Sequence, residues 1–347
     1  MGEHRLGRGE PMPSNVPLIL FYTRAFKKTI DVAAIPQCCV PVEWTTDRSR
    51  LAEADAVVFH IPNAREIGDA RKYPGQFWVA WSMESFENYA WQADPRFMRH
   101  FDLTMTYESG ADVWEPYLPK AEWWETARRS AIVPKTEAAP AVTFQSSKLD
   151  KSGRAAFVAE LSKSIGVDRY GRFNRRAKLQ PNRQIEGPDL GRQTKVETIG
   201  RYHFCLALEN SIAPDYVTEK MFDPLAAGTV PVYLGAPNAA EFVPENSYID
   251  ASSFGTPAEL AAYLHHLVET PQDYQAYLAW RSKPLPDHLV RRLELVATAP
   301  KYRLAELVHR LVAERGEVPS GRSSLPFGWM AFLKTRRQRW WMAHAGR

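Results

Sequence analysis

The sequence predicts an α/β protein made of two Rossmann-like α/β domains that face each other across a cleft. In both halves of the 347-residue chain, short apolar runs alternate with mixed or polar segments, as in a parallel sheet flanked by helices. The length also favours two domains over one. Prolines interrupt the alternation between residues 116 and 140, so we place the domain junction there.

The apolar runs predict eight buried strands, four in each half of the chain. They cover residues 16–22, 56–59, 77–81, 103–107, 141–144, 167–170, 204–208 and 230–234. Apolar residues at helical spacing predict helices over 152–164, 258–269 and 301–315, the first capped by Ser152. These elements divide the chain into a domain over 1–138, a second over 139–318 and a basic, aromatic tail over 319–347.

Composition and charge narrow the class of protein. A formal net charge of +4 gives no argument for nucleic-acid binding, so we expect no nucleic-acid partner. The three cysteines lack the spacing of a zinc site or of a disulfide framework. The run at 16–22 resembles the core of a signal peptide, but no small-residue cleavage site follows it. We interpret it as a buried first strand and expect a cytoplasmic protein.

The segment 202–235 carries the strongest chemical signal. A buried strand at 204–208 ends in Glu209, Asn210 and Ser211, and ligands of open α/β sheets bind beyond the carboxyl ends of the strands. Thr218 can cap the helix that follows, which places Lys220 in its first turn. A helix N-terminus and a lysine together suit a pyrophosphate.

Each of these residues also has a purely structural interpretation. A lysine in a first helical turn is usually solvated, and Glu219 there complements the helix dipole. Asn210 can cap a turn, and Tyr216 can be a packed ring. On physical grounds alone, the spacing favours a site over these alternatives by a small margin.

The string ALENSIAPDYVTEKMFDPLAAGTVPVYLGAPN resembles the α-1,3-fucosyltransferase family, glycosyltransferase family 10, of the bacterial type. The signature of that family reads approximately F-x-L-x-F-E-N-S-x-x-x-D-Y-x-T-E-K, followed by A-x-x-x-G-x-V-P-V-x-x-G. Segments 54–60, 74–89, 101–117 and 152–171 are also similar to it. The resemblance covers roughly residues 50 to 255. It implies a GT-B-type fold, GDP-fucose as donor substrate and a glycan acceptor bound by the N-terminal domain.

By the same resemblance, Glu84 is the catalytic base and Glu219 stabilises charge on the fucose ring. Lys220 and Arg154 are implied as diphosphate contacts, although an exposed helix arginine is an equally good interpretation of Arg154. Other implied nucleotide-sugar contacts are Asn210, Tyr216, Tyr170 and Gly171. We expect Trp78, Trp81 and Phe86 to desolvate Glu84, whose structural alternative is a helix or loop cap. The family usually has proline where this chain has Phe86.

No Asp-x-Asp pair stands at a strand end, so we expect no required metal or other cofactor, although divalent ions are expected to stimulate turnover. The basic cluster 169–178 is interpreted as a loop beside the nucleotide. The aromatic, basic segment 326–347 is interpreted as a peripheral contact with the inner face of the membrane, against the alternative of a packed tail helix.

Three other functions stay open at this point. A Rossmann oxidoreductase would need a glycine-rich turn after the first strand, and none follows residue 22. A sugar-binding protein without activity would not need Glu84, Glu219 and Lys220. A related transferase that uses another nucleotide sugar is the nearest alternative.

The acceptor implied by the resemblance is N-acetylglucosamine, linked at O3.

Overall fold

The computed structural model describes residues 16–38, 40–68, 70–172, 190–315 and 325–326. Two sheets form the centres of two α/β domains, and every strand pair within them is parallel. Parallel sheets need both faces covered, which explains why the strand sequences are continuous apolar runs and not alternating ones.

The N-terminal sheet has six strands in the order β2-β1-β3-β5-β6-β7. Their bounds are β1 (Leu18–Phe21), β2 (Glu43–Thr45), β3 (Ala56–His60), β5 (Phe77–Ser82), β6 (Leu103–Thr106) and β7 (Val113–Trp114). A separate antiparallel pair joins β4 (Arg71–Lys72) to β13 (Leu325–Pro326). In the register of β3 and β5, His60 lies beside Trp81, so the carboxyl ends of these strands meet at one edge.

The C-terminal sheet has five strands in the order β12-β11-β10-β8-β9. Their bounds are β8 (Ala141–Phe144), β9 (Val167–Tyr170), β10 (Phe204–Leu208), β11 (Val230–Leu234) and β12 (Ile249–Asp250). Strand β10 is central and wholly buried, with Phe204 opposite Val230 and Leu208 opposite Leu234. Whatever follows Leu208 is therefore held at the middle of the sheet edge.

Nine helices are found among the described residues: α1 (Pro95–Met98), α2 (Ala121–Arg129), α3 (Arg154–Leu161), α4 (Leu190–Gly200), α5 (Glu219–Ala226), α6 (Pro257–Glu269), α7 (Pro271–Ala276), α8 (Asp287–Leu295) and α9 (Pro300–Glu314). Short 3-10 turns occupy Arg48–Ala52, Ile61–Ile67, Ala90–Ala93, Ala239–Phe242, Ala251–Ser253 and Ala279–Ser282. No helix of this part of the chain is both long enough and apolar enough to cross a membrane.

All eight predicted strands are present, most within one or two residues of the expected bounds. The short strands β2, β4, β7, β12 and β13 were missed, because two or three residues leave no recognisable pattern. The predicted cap of α3 is wrong. Gly153, with φ of 73°, precedes α3, and the Ser152 hydroxyl donates instead to the Glu209 carbonyl at 2.6 Å. The predicted cap of α5 by Thr218 is confirmed.

Two helices pack outside the domains that the linear boundaries gave them. Helix α9 falls within 139–318, yet Leu304 and Val308 pack into the N-terminal core with Ile19 and Val58. Helix α2 falls within 1–138, yet its Trp124 lies in a cluster with residues of α5 and α8. The chain therefore passes between the domains more than once, since apolar faces pack where complementary surfaces exist and not where they are nearest in sequence.

Candidate active site

The candidate site begins where the central strand β10 ends. Glu209, Asn210 and Ser211 follow it, and all three side chains are buried. Backbone N–H groups of Lys151 and Ser152 both donate to the carbonyl of Asn210, at 2.7 and 3.2 Å. The loop that leads into α3 is thereby fixed against the same sheet edge. This is the position at which open α/β folds bind ligands.

The N-terminus of α5 faces this sheet edge and carries the Glu219–Lys220 pair. Thr218 caps the helix, and the Lys220 ammonium lies 2.9 Å from Thr218 Oγ1, 3.1 Å from Glu209 Oε2 and 3.2 Å from Glu219 Oε1. The lysine side chain is 18% exposed, so it is sheltered but reachable. A cation beside a capped helix N-terminus suits a diphosphate, and a diphosphate contact by Lys220 stays a prediction.

Opposing charges set the ionisation of this cluster. Burial raises the pKa of Glu209 above its usual value, and burial would lower that of Lys220. The carboxylates of Glu209 and Glu219 nevertheless raise the pKa of Lys220, so the ammonium stays charged. Burial likewise works against ionised Glu219, but Lys220 and Lys195 lower its pKa below the ordinary range.

Glu84 lies two residues beyond β5, on the opposite side of the cleft. Burial raises its pKa, and the charges that act on it next are Lys220, which lowers the pKa, and Glu219, which raises it. The Oε2 atom of Glu84 is buried and has no hydrogen-bond partner among the described residues. A carboxylate with a raised pKa and an unsatisfied oxygen, facing the cation of the other domain, is equipped to accept a proton.

Tyrosines, and not the predicted tryptophans, surround Glu84. Trp78 packs under the sheet against Phe59, and the Nε1 of Trp81 donates to Glu115 at 2.8 Å. The charge of Glu84 instead acts on Tyr89, Tyr117 and Tyr216, which raises the pKa of each beyond the effect of burial. Of the predicted aromatic residues, Phe86 does pack in this region, beside Tyr107 and Tyr216. Glu84 is therefore desolvated as expected, but mainly by tyrosine rings and not by Trp78 and Trp81.

Asn210 and Tyr216 join the two domains beside the site. The Asn88 amide of the N-terminal domain donates to Asn210 Oδ1 at 3.0 Å. The ring of Tyr216 is 2% exposed and lies 5.0 Å from that of Tyr107, edge to face. Tyr216 is therefore the packed ring of its structural alternative, whereas the Asn210 side chain bonds the other domain and is not shown to cap a turn. Contacts of both residues with the nucleotide sugar stay predictions.

Arg154 is buried and not the exposed helix arginine of the alternative interpretation. Its guanidinium donates to the backbone carbonyls of Leu208 at 3.1 Å and Leu149 at 2.9 Å, and burial lowers its pKa. The Nε atom has no partner among the residues described. The side chain thus secures the loop before α3 against the end of β10, and a phosphate contact by Arg154 stays a prediction.

Tyr170 and Gly171 lie at the end of β9, the outer strand of the C-terminal sheet. The Tyr170 ring stacks on Phe144 with centroids 5.1 Å apart. Gly171 has φ of 105°, and a Cβ there would lie 2.3 Å from the carbonyl oxygen of Gln145. The close backbone approach requires glycine. The basic cluster that follows lies outside the described residues from 173 onwards.

Sequence reasoning missed several residues that shape the site: Glu209, Asn88, Tyr117 and Lys195. Glu209 stands in the recognised motif and was visible as part of a polar strand end, but no role was given to it. Asn88 and Tyr117 lie in the segments 74–89 and 101–117 that resemble the family, and Lys195 lies just before the 202–235 segment, but no role was given to any of the three. Among the described residues, no three His, Cys, Asp or Glu side chains come together as metal ligands.

Comparison with known proteins decides the family. A model described as "Glycosyltransferase family 10 (fucosyltransferase) C-term" matches residues 134–312, more than half of the chain, and "Fucosyltransferase, N-terminal" matches residues 14–118. The chain belongs to glycosyltransferase family 10, the fucosyltransferases. The recognition made from the 202–235 segment is therefore confirmed, and the protein is a glycosyltransferase enzyme.

Two human relatives span most of this fucosyltransferase. The 4-galactosyl-N-acetylglucosaminide 3-alpha-L-fucosyltransferase FUT6 of Homo sapiens is 32% identical over 293 residues, covering 80% of this chain and 76% of the relative. Alpha-(1,3)-fucosyltransferase 7 of Homo sapiens is 33% identical over 294 residues, covering 80% and 78%. The similarity therefore extends over both domains and not only over the donor motif.

Among solved structures, this fucosyltransferase is similar to one described as "Crystal Structure of alpha1,3-Fucosyltransferase with GDP-fucose". The TM-score is 0.54 at 15% identity, covering 89% of this chain and 94% of the other. At that identity the likeness establishes the fold alone. Together with the two parallel sheets, it confirms the predicted GT-B-type pair of α/β domains.

Proposed function

We propose that this fucosyltransferase moves L-fucose from GDP-fucose, with inversion, onto O3 of an N-acetylglucosamine residue in a glycan, forming an α-1,3 linkage. The observation that carries the proposal is that Glu84 has a buried oxygen without a hydrogen-bond partner among the described residues, while Asn88, four residues further on, bonds at 3.0 Å to Asn210, the neighbour of the Glu209 that holds Lys220 at 3.1 Å. A base for an acceptor hydroxyl therefore faces a cation for a leaving diphosphate. The activities named for the relatives, 3-alpha-L-fucosyltransferase among them, support the donor sugar and the linkage.

In the proposed reaction, the acceptor hydroxyl oxygen attacks the anomeric carbon of fucose while the bond from that carbon to the diphosphate oxygen breaks. Glu84 takes the hydroxyl proton, and Lys220 with the N-terminus of α5 stabilises the charge on the departing GDP. We assign to Glu219, whose side chain is 45% exposed, the stabilisation of positive charge on the sugar ring. A single displacement by this route inverts the anomeric configuration.

Several buried polar atoms near the ends of the strands lack hydrogen-bond partners in the described structure, which supports the proposal that a substrate binds beside them. Besides Glu84 Oε2, the Oδ1 atom of Asn88 and the Nε atom of Arg154 are buried without a hydrogen-bond partner in the described structure. Buried polar groups are normally satisfied, and unsatisfied ones are expected where a ligand binds. A nucleotide sugar and a sugar acceptor both supply hydroxyl and phosphate groups of the required kind.

The proposal is tested with purified enzyme, GDP-fucose and a panel of glycans that present N-acetylglucosamine. The expected result is acceptor-dependent GDP release together with a product whose fucose is α-linked at O3. Glu84→Gln is the matched control, because it keeps the size of the side chain and removes the base. Absence of a fucosylated product with every acceptor would contradict the proposal.

Use of another nucleotide sugar is the alternative within the same enzyme class. Inhibition of transfer by GDP, UDP and TDP separates the two. GDP is expected to compete much more strongly than UDP or TDP, and preferential competition by UDP or TDP would assign the donor site to a different nucleotide.

We also propose that the enzyme acts in the cytoplasm at the inner face of the membrane, through the basic, aromatic segment 326–347. Five aromatic residues mix there with five basic ones, a composition that suits an anionic lipid surface. All but the first residue of that segment lies outside the described residues, so the support is the composition alone.

A further inference from the structure

A fully buried carboxylate lies directly beneath the lysine that the donor site offers to a diphosphate. Glu209, the first residue after β10, is 0% exposed, and its Oε2 is 3.1 Å from Lys220 Nζ. Its Oε1 accepts from the backbone N–H of Thr218 at 2.8 Å and from the hydroxyl of Thr218, also at 2.8 Å. One carboxylate thus holds both the cap of α5 and the cation of its first turn.

The carboxylate is itself held in one position. The backbone N–H of Glu209 donates to Leu234 in the neighbouring strand β11 at 2.9 Å. Gly235 closes over its side chain so tightly that a Cβ on Gly235 would lie 2.6 Å from Glu209 Cγ. The backbone pairing with β11, the close approach of Gly235 and the hydrogen bonds to Thr218 therefore restrict the Glu209 side chain to one conformation. The group that positions Lys220 is part of the rigid sheet edge.

The three acceptors around Lys220 are not equivalent. An ammonium has three hydrogens, and the three nearby acceptors are Thr218 Oγ1, Glu209 Oε2 and Glu219 Oε1. A bound diphosphate must replace one of them. Glu209 is enclosed, whereas the Glu219 side chain is 45% exposed, so Glu219 is the partner that can leave. That exchange would release the Glu219 carboxylate at the moment the donor enters.

We propose that Glu209 is a positioning residue for fucosyl transfer: it is the permanent partner that fixes the Lys220 ammonium, while Glu219 is a partner that the donor diphosphate displaces. This inference rests on the proposed function, since it assigns the diphosphate to Lys220. Glu209 touches no substrate in this arrangement. It acts through Lys220 and through the cap of α5.

The charges around Lys220 give the inference a signature in pH. The groups that face it are Glu209 from β10, Glu219 from its own helix and Glu84 from the N-terminal domain, and Lys195 acts in turn on Glu219. Burial by itself lowers the pKa of Lys220, and Glu209 is the largest influence that raises it. Without the charge of Glu209, the ammonium would lose its proton at a lower pH.

Glu209→Gln keeps the size of the side chain and an oxygen for the Thr218 N–H, but it removes the charge and puts an NH2 group in place of the oxygen that accepts from Lys220. We expect kcat to fall at least about tenfold, because a displaced cation stabilises the leaving group less well. The Kd for GDP should change less than about threefold, since removing a nearby negative charge offsets the loss of alignment. The basic limb of the kcat profile should also move to lower pH. A folded variant with kcat within twofold of wild type would overturn the proposal.

Asp223→Asn is the matched control for simple loss of a buried ion pair on α5. Asp223 is 1% exposed and pairs with Lys195 at 2.8 Å and Arg192 at 2.9 Å, and it is not one of the three acceptors of Lys220. We expect it to lower the melting temperature without moving the basic limb of the pH profile. If both variants shift the basic limb equally, Glu209 has no specific effect on Lys220 and the proposal is wrong.

A double-mutant cycle on unfolding tests the pairing without any assay of activity. In a Lys220→Met background, Glu209 is left as an unpaired buried charge, so Glu209→Gln should be at least about tenfold less damaging to the unfolding equilibrium than in wild type. Should Glu209→Gln alone fail to fold, the double variant should recover folding. Additive effects, or a double variant that also fails to fold, would overturn the pairing. Wild type that transfers no fucose would instead contradict the proposed function, which this cycle does not use.

Discussion

The side-chain amide of Asn88 donates a 3.0 Å hydrogen bond to Asn210 Oδ1, joining the loop after β5 to the end of β10 across the domain boundary. Asn88 is 2% exposed, and Asn210 is also buried. The motif residue that borders the donor site is therefore oriented partly by the opposite domain. The hydroxyl of Ser109 adds a second link, donating to Asp215 at 2.8 Å. The geometry of the candidate site depends on how the two domains are held together.

Removing the first of these links should weaken donor binding. For Asn88→Ala we expect the KM for GDP-fucose to rise several-fold and the free energy of unfolding to fall by about 0.5–1.5 kcal/mol, because Asn210 Oδ1 loses one of its donors and keeps the Ser211 hydroxyl at 3.1 Å. Steady-state kinetics and urea unfolding give the two values. Asn63→Ala is the control: its amide exchanges two 2.8 Å hydrogen bonds with the Phe26 backbone, within the N-terminal domain. An unchanged donor KM in Asn88→Ala would contradict this prediction.

Activity should be lost on the acid side through Glu84. Burial raises the pKa of this carboxyl, and a base must be deprotonated, so the acidic limb of kcat/KM should lie above pH 4.5, the ordinary value for glutamate. Glu84→Gln should reduce kcat by at least about 100-fold on the plateau above the acidic limb, in line with the usual contribution of a general base. An acidic limb at or below pH 4.5 in wild type would argue against Glu84 as the base.

Ionisation of Glu84, which activity requires, should lower the free energy of unfolding. A carboxyl whose pKa is higher in the folded than in the unfolded state binds more protons when folded, so its contribution weakens as pH rises through that interval. Glu84→Gln should therefore be at least as stable as wild type at neutral pH, and its relative stability should increase from pH 4 to 7. Thermal unfolding across that range measures the difference, and a clear loss of stability at neutral pH would contradict it.

The end of β9 should not accept a side chain. Gly171→Ala places a Cβ 2.3 Å from the Gln145 carbonyl oxygen at φ of 105°, so we expect a loss of about 1–3 kcal/mol from backbone strain and weaker binding of GDP. Gly191→Ala is the matched control, because a Cβ at that exposed helical position meets nothing within 4 Å. It should be neutral or stabilising. Equal stability of the two variants would show that the approach of Gln145 is not restrictive.

Excess chelator should leave transfer largely intact, since Lys220 and the N-terminus of α5 provide the positive charge that the leaving diphosphate requires. Activity after treatment with chelator, and after dialysis with added divalent ions, is the measurement. Stimulation by added ions is compatible with the prediction, whereas complete loss that divalent ions restore would contradict it.

Deletion of residues 327–347 should reduce co-sedimentation with anionic vesicles while leaving transfer to a soluble acceptor within about twofold of wild type. This truncation retains Leu325–Pro326, which pairs with Arg71–Lys72. Neutral vesicles are the control, because attraction of a basic segment requires anionic lipid. Equal pelleting of the two proteins with anionic vesicles would remove the membrane proposal.

The sequence by itself determined the local features of this protein: the eight main strands, the cap of α5 by Thr218, the Glu219–Lys220 pair and the fucosyltransferase family. Each depends on neighbours within a few residues or on a contiguous motif, so the local sequence is sufficient to predict it. The same reasoning gave a wrong prediction for Ser152, whose hydroxyl does not cap α3 but donates to the Glu209 carbonyl.

Only the tertiary structure decided which distant residues meet. Glu84 faces Lys220 across more than 130 positions of sequence, tyrosines replace the expected tryptophans around it, and Arg154 is buried against backbone carbonyls. Helices α2 and α9 pack outside the domains to which their positions assigned them. Burial and charge pairing depend on how whole apolar surfaces fit together, and a fit of that kind has no signature in any one segment.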